Sequence, residues 1–348
     1  MSFDHKRFIA LALSLAMALS MAACGGSVPE LLDSGANSFA DGKQEDDYSL
    51  RGSGELLQSM LDKYSGSYRM PDSSQMDDDD YDDAKKKADE ENPVPPVDPS
   101  DDPSAPTIGD DEILVGSWEE LLDAFYGAYY RTDAYLEFEL TGGYSVDLSW
   151  ALQESYNELQ RRDPIFVSCV KNWSWGSRGD EYIIEIGYTI DTDELNRIKA
   201  DTQRYVDEAV ARIGPGSMSD YEIVCAVNDY LCDTVYYPEE PYAPMTHTAY
   251  GALADGVAVC EGYACAAKLL LDTMGVPCDI QFGTCTNGGG HAWNLVQLED
   301  QWYQMDVTWN DGALSRSDYL LVTDAFMRQS RTWDESNYPA CANTPYSP

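Results

Sequence analysis

The sequence predicts an α+β protein: a helix packed on an antiparallel sheet at the C-terminal end, with a small α+β region before it. Three observations predict this. Apolar residues recur at three-to-four spacing over 193–213 and 220–234, as an amphipathic helix requires. Short apolar or alternating runs follow one another between 279 and 307. Composition also changes abruptly near residue 111, from acidic and proline-rich to globular.

The 348 residues include 62 acidic and 22 basic side chains, a formal net charge of -40. That balance repels phosphate backbones, so nucleic acid is excluded as a partner class. Residues 1–24 open with Lys6 and Arg7 and then carry no charge from Phe8 to Ala23. The run is too short to span a bilayer comfortably and suits a signal-peptide core. It ends in Met21-Ala22-Ala23-Cys24, which resembles a bacterial lipobox. The resemblance implies lipidation at Cys24. The rest of the chain would then sit on the extracellular face of the bacterial membrane, touching it only through the anchor. Residues 25–111 read as a disordered linker. They hold Asp77-Asp78-Asp79-Asp80, Lys85-Lys86-Lys87 and the proline-rich 92–106, a composition that buries too little apolar surface to offset ordering.

Residues 112–216 form the small α+β region. Ser117 with Glu120 is a capping box opening a helix whose Leu121, Leu122, Phe125 and Tyr129 share one side. Tyr135 to Leu140 alternates as a strand, a helix follows over 147–161, and strands are expected at 165–170 and 181–188. A long helix over 193–213 stops at Gly214-Pro215-Gly216. No chemistry is evident here.

Residues 217–348 hold the rest. A second capping box, Ser219 with Glu222, opens a helix to about Thr234. A short helix and a turn at Asp255-Gly256 lead into a long helix starting at Cys260 and ended by Gly275-Val276-Pro277. Strands are expected at 279–283, 292–298 and 302–307, with 319–323 as a further one.

Thiol chemistry on an amide needs a thiolate, a base and a group that orients the base. Cys260 stands at a helix start, where unpaired N–H groups and the helix dipole favour a thiolate. Only three histidines occur, and His5 leaves with the leader, so His247 and His291 remain. His291 follows three glycines and opens a strand; Asp306 ends the next one, where a carboxylate would lie beside the imidazole. Asp300 and Asp311 read as turn residues. Nine cysteines occur. Cys225 and Cys232 lie about 10 Å apart along one helix, beyond the ~4.4–6.8 Å reach of a disulfide, so reduced thiols are expected.

Cys260-Glu261-Gly262-Tyr263-Ala264, Gly290-His291-Ala292-Trp293-Asn294 and Trp302-Tyr303-Gln304-Met305-Asp306-Val307-Thr308-Trp309 together resemble the transglutaminase-like superfamily. The resemblance runs from about Ser219 to Trp333. It implies a papain-like transglutaminase core, with Cys260 as nucleophile, His291 as base and Asp306 as its orienting acid. Many relatives carry a histidine before the late tryptophan, where this chain has Arg331 before Trp333. Tyr250, His247 and Trp293 are candidates for the oxyanion site or the cleft wall. The function expected is hydrolysis of amide bonds in peptides or cell-wall material through an acyl-enzyme, by a monomer needing no cofactor and no metal. Cross-linking by transamidation, and a silent peptide-binding module, are the alternatives. A Cys/His/Asp metal site is disfavoured, because zinc sites usually pair cysteines at close spacing, absent here.

Overall fold

The computed structural model describes Gln58 and residues 72–91, 113–165, 169–239 and 244–348. Cys24 and the rest of the leader lie outside the described residues. The fold is α+β, built on two five-stranded sheets.

The first sheet comprises β1 (Asp72–Gln75), β2 (Leu114–Val115), β3 (Tyr135–Leu140), β4 (Val170–Arg178) and β5 (Glu181–Tyr188), in the order β1-β4-β5-β3-β2. The outer pairs are parallel and the inner ones antiparallel. On one face lie α2 (Trp118–Arg131) and α3 (Leu148–Arg162), whose Leu121, Leu122, Phe125, Tyr129 and Leu152 form a core with Trp173 and Ile184. Ser117 caps α2, accepting from Glu120 N. The expected box is shifted by one residue, because the Glu120 carboxylate accepts from Gly116 N at 2.6 Å instead of Ser117 N.

Part of the expected linker is ordered. Residues 72–91 supply β1 and α1 (Asp78–Glu91), which covers the other face of the sheet. The run of like charges conceals Tyr81, Ala84 and Ala88, a three-to-four stripe packed on Tyr135 and Ile183. The acidic start also suits the positive end of the helix dipole. Asp77 accepts from Asp80 N at 2.9 Å, and Lys85 pairs with Glu137 at 2.9 Å. Burial, not net charge, decides this segment.

The long helix α4 (Thr192–Ile213) ends at Gly214, which takes a left-handed conformation. Its last turns belong to the C-terminal core: Val206 and Ala209 pack there with Val224, Val227 and Leu231 of α5 (Asp220–Thr234). Ser219 and Glu222 complete the capping box of α5.

The second sheet is antiparallel, in the order β10-β6-β7-β8-β9. Its strands are β6 (Cys278–Cys285), β7 (Gly290–Leu298), β8 (Gln301–Met305), β9 (Leu320–Val322) and β10 (Arg331–Thr332). Helix α6 (Cys260–Thr273) packs on β6 and β7, and Asn294 of β7 donates to Ala264 O at 2.9 Å. Glu299 and Asp300, both left-handed, make the tight β7–β8 turn. Strand β8 stops one residue before Asp306, which instead caps the short helix α7 (Val307–Gly312). The end of α3 reaches this half of the chain. Arg161 makes two hydrogen bonds to Asp279 of β6, at 3.2 and 2.7 Å.

Candidate active site

Cys260 is the first residue of α6 and is buried. Val259 at the cap position offers no side-chain acceptor, so the first-turn N–H groups keep their partial positive charge near the sulfur. Gly262 is required for a reason that spacing did not show. A Cβ there would meet Thr246 O at 2.6 Å and Thr248 O at 2.8 Å. The glycine therefore makes room for a backbone segment. Val259 N donates to Thr246 O at 2.9 Å, fixing that segment against the helix start.

The register brings His291 and Asp306 together. His291 is the second residue of β7, and Asp306 follows β8, the next strand. His291 Nε2 lies 2.7 Å from Asp306 Oδ2, with both side chains fully buried. Asp306 divides its oxygens. Oδ1 accepts from Trp309 N at 3.0 Å, capping α7, while Oδ2 meets the imidazole. The second imidazole nitrogen, Nδ1, is buried and has no nitrogen or oxygen partner. The Cys260 sulfur also acts on this ring. Burial alone would lower the pKa of His291, but the Asp306 carboxylate and the sulfur outweigh it and hold the ring up at about 9.

Arg331 completes the group. Its guanidinium is fully buried, hydrogen-bonds to Asp306 Oδ2, and lies 4.0 Å from the Trp309 ring centroid and 5.1 Å from that of Trp293. Gly283 lets β10, which carries Arg331, approach β6, since a Cβ there would meet Thr332 O at 2.4 Å. Burial would raise the pKa of Asp306, but His291 and Arg331 hold the carboxyl well below its usual range. Sequence reading noted Arg331 only as a departure and missed its contact. Its register on β6, with Arg331 opposite Cys285, is a property of strand pairing across distant segments.

Residues 207–307 match the Transglutaminase-like superfamily. This chain carries a transglutaminase-like domain. The chain is 26% identical over 152 residues to the Kyphoscoliosis peptidase of Mus musculus, a match covering 38% of this chain and 23% of that protein. The chain thus spans about a quarter of that relative's length. A solved TGase structure is similar over 57% of this chain and 59% of that one, at 13% identity and a TM-score of 0.29.

Around the transglutaminase-like domain's Cys, His and Asp, the other candidates fall into two groups. Trp293 is at the site: its ring stacks on His291 at 5.7 Å and its Nε1 donates to Gln304 Oε1 at 2.5 Å. Being buried, it backs the imidazole and does not line an open cleft. Tyr250 is not an oxyanion donor, because it packs with Leu195 and Ile198 and its side chain hydrogen-bonds to Arg197 of α4. Asp311 lies in α7 and accepts from the Tyr263 hydroxyl at 3.0 Å, so it is a support for α6, not a turn residue. His247 lies 2.9 Å from Glu261, the residue after Cys260. Among the described residues all eight cysteines are unbridged, and no cluster of three or more His, Cys, Asp or Glu could hold a metal.

Proposed function

We propose that the transglutaminase-like domain is a cysteine-dependent amidase or peptidase with Cys260 as nucleophile, His291 as base and Asp306 as the group that orients it. The observation carrying this reading is the position of His291, whose ring is engaged by a buried carboxylate on one nitrogen and by the Cys260 thiol as well. With its pKa held up at about 9, the His291 ring is a base strong enough to take the Cys260 proton as the sulfur attacks. The sulfur attacks the acyl carbon, forming a C–S bond, while first-turn N–H groups of α6 face the developing oxyanion. The C–N bond breaks, and His291 transfers its proton to the departing amine. Water, deprotonated by His291, then cleaves the thioester and releases the acid. Asp306 keeps the imidazole oriented throughout, and Arg331 keeps Asp306 ionised.

Peptides or cell-wall peptides are the substrate class in this reading, with the enzyme held at the cell surface by lipid on Cys24. Digestion of a peptide library by the wild type, absent in Cys260→Ala, tests the chemistry. Equal patterns from both proteins would sink it. Adding a primary amine separates hydrolysis from transamidation by product mass. If Cys260→Ala still binds peptides and still supports the biological effect, the domain is a binding module. Incorporation of a tagged fatty acid, lost in Cys24→Ala, tests the anchor.

A further inference from the structure

A second buried carboxylate stands beside the nucleophile and is not used by the mechanism above. Glu261, the residue after Cys260, is 1% exposed, an unusual place for a charge. Its Oε1 accepts from Gln160 of α3, and its Oε2 lies 2.9 Å from His247 Nδ1. The approach of residues 246–248 to Gly262 fixes His247 there. The His247 side chain is 15% exposed, so this end of the pair reaches solvent while the carboxylate does not.

We infer that His247 and Glu261 form a charge pair that sets the acidity of Cys260, His247 acting as a positioning residue that neutralises the carboxylate beside the thiolate. The inference rests on Cys260 being the nucleophile. A bare Glu261 carboxylate in the first turn of α6 would oppose a second negative charge one residue away. Protonated His247 cancels that opposition, and the thiolate forms at lower pH. The remaining charges nearby have partners of their own. Asp163, after α3, accepts from Tyr126 at 3.0 Å and lies 3.9 Å from Lys199 of α4. Asp279 of β6 is held by Arg161, and Lys268 of α6 by Asp272 at 2.7 Å. Asp255, in the turn before α6, faces Arg197. His291 acts on Cys260 from β7. The His247–Glu261 pair joins the helix start to a proton exchanged with solvent.

The test titrates Cys260 in the full chain by its ultraviolet thiolate absorbance, subtracting the signal of Cys260→Ser. Burial pushes up the thiols of Cys265 and Cys278, which keeps them out of the range. His247→Gln is expected to raise the Cys260 midpoint by about one pH unit, roughly tenfold less thiolate below it. Glu261→Gln is expected to lower it, and the double variant to match Glu261→Gln, since His247 then has no charge to cancel. A clamp of purely structural value would move both single variants in the same direction, and that result overturns the inference. So does a low wild-type midpoint that neither variant moves. If Glu261→Gln does not fold, His247→Gln decides alone, by a rise or its absence. A wild-type Cys260 that titrates as an ordinary thiol instead defeats the nucleophile reading and takes this inference with it.

Discussion

Around the β1–β5 sheet the core is apolar: Leu121, Leu122, Phe125, Leu152, Trp173 and Ile184 are buried there. Around the β6–β10 sheet, Gln281, His291, Asn294, Gln304, Asp306 and Arg331 are all buried as well. Both sheets have five strands, so size does not explain the contrast. A buried polar group left without a partner costs about 1–3 kcal/mol, and a charge costs more. Concentrating such groups in one sheet is a poor way to hold a fold. It is a workable way to hold an imidazole, a carboxylate and a thiol in one dry place. One sheet is built for stability, the other gives up some of it for chemistry.

Substitutions in the two sheets should therefore separate. Cys260→Ala is expected to abolish turnover while leaving the thermal midpoint near that of wild type; residual turnover would assign the chemistry elsewhere. Asp306→Ala strands Arg331 in the interior and is expected to cost about 3–5 kcal/mol in urea unfolding. Trp173→Ala is expected to cost a similar ~3–5 kcal/mol by leaving a cavity beside Tyr129 and Tyr156. Only Asp306→Ala should also shift the titration of Cys260. If Trp173→Ala shifts it equally, the division between the sheets fails.

A further expectation concerns pH. The folded-state pKa of Asp306 is lowered, from 3.8 to about 2, so its stabilisation is complete above 3.8 and is lost as pH falls toward 2. The folded-state pKa of His291 is raised, from 6.5 to about 9, so its stabilisation is complete below 6.5 and is lost as pH rises through 9. The urea midpoint should be highest between these flanks and fall on both sides. Asp306→Asn should flatten both. The smallest effect expected is for Ser219→Ala, which removes the α5 cap at about 1 kcal/mol without altering the pH profile.

The sequence shows local features well. Helices α2 to α6 are marked by caps, glycine stops and apolar periodicity within single segments, and Cys260, His291 and Asp306 stand out because their elements are local too. Three kinds of feature were hidden. Helix α1 keeps only Tyr81, Ala84 and Ala88 to mark its buried side, and three residues do not outweigh a charge run by inspection. The end of β8 was set too late, because Asp306 serves both a helix cap and the imidazole, and a strand pattern runs straight through it. Arg331 and Glu261 take their meaning from partners on distant segments: Arg331 from Asp306, Glu261 from Gln160 and His247. Long-range pairing of that sort leaves no periodic trace.

The family match stops at residue 307, yet the cation that balances Asp306 lies beyond it, in β10. A fragment trimmed to the matched segment would keep the sulfur, the ring and the acid and still lack their counterion. The stretch from Val307 to Arg331 is no spare tail: a stop codon ahead of Arg331 would take the counterion from Asp306 while leaving Cys260, His291 and Asp306 in place.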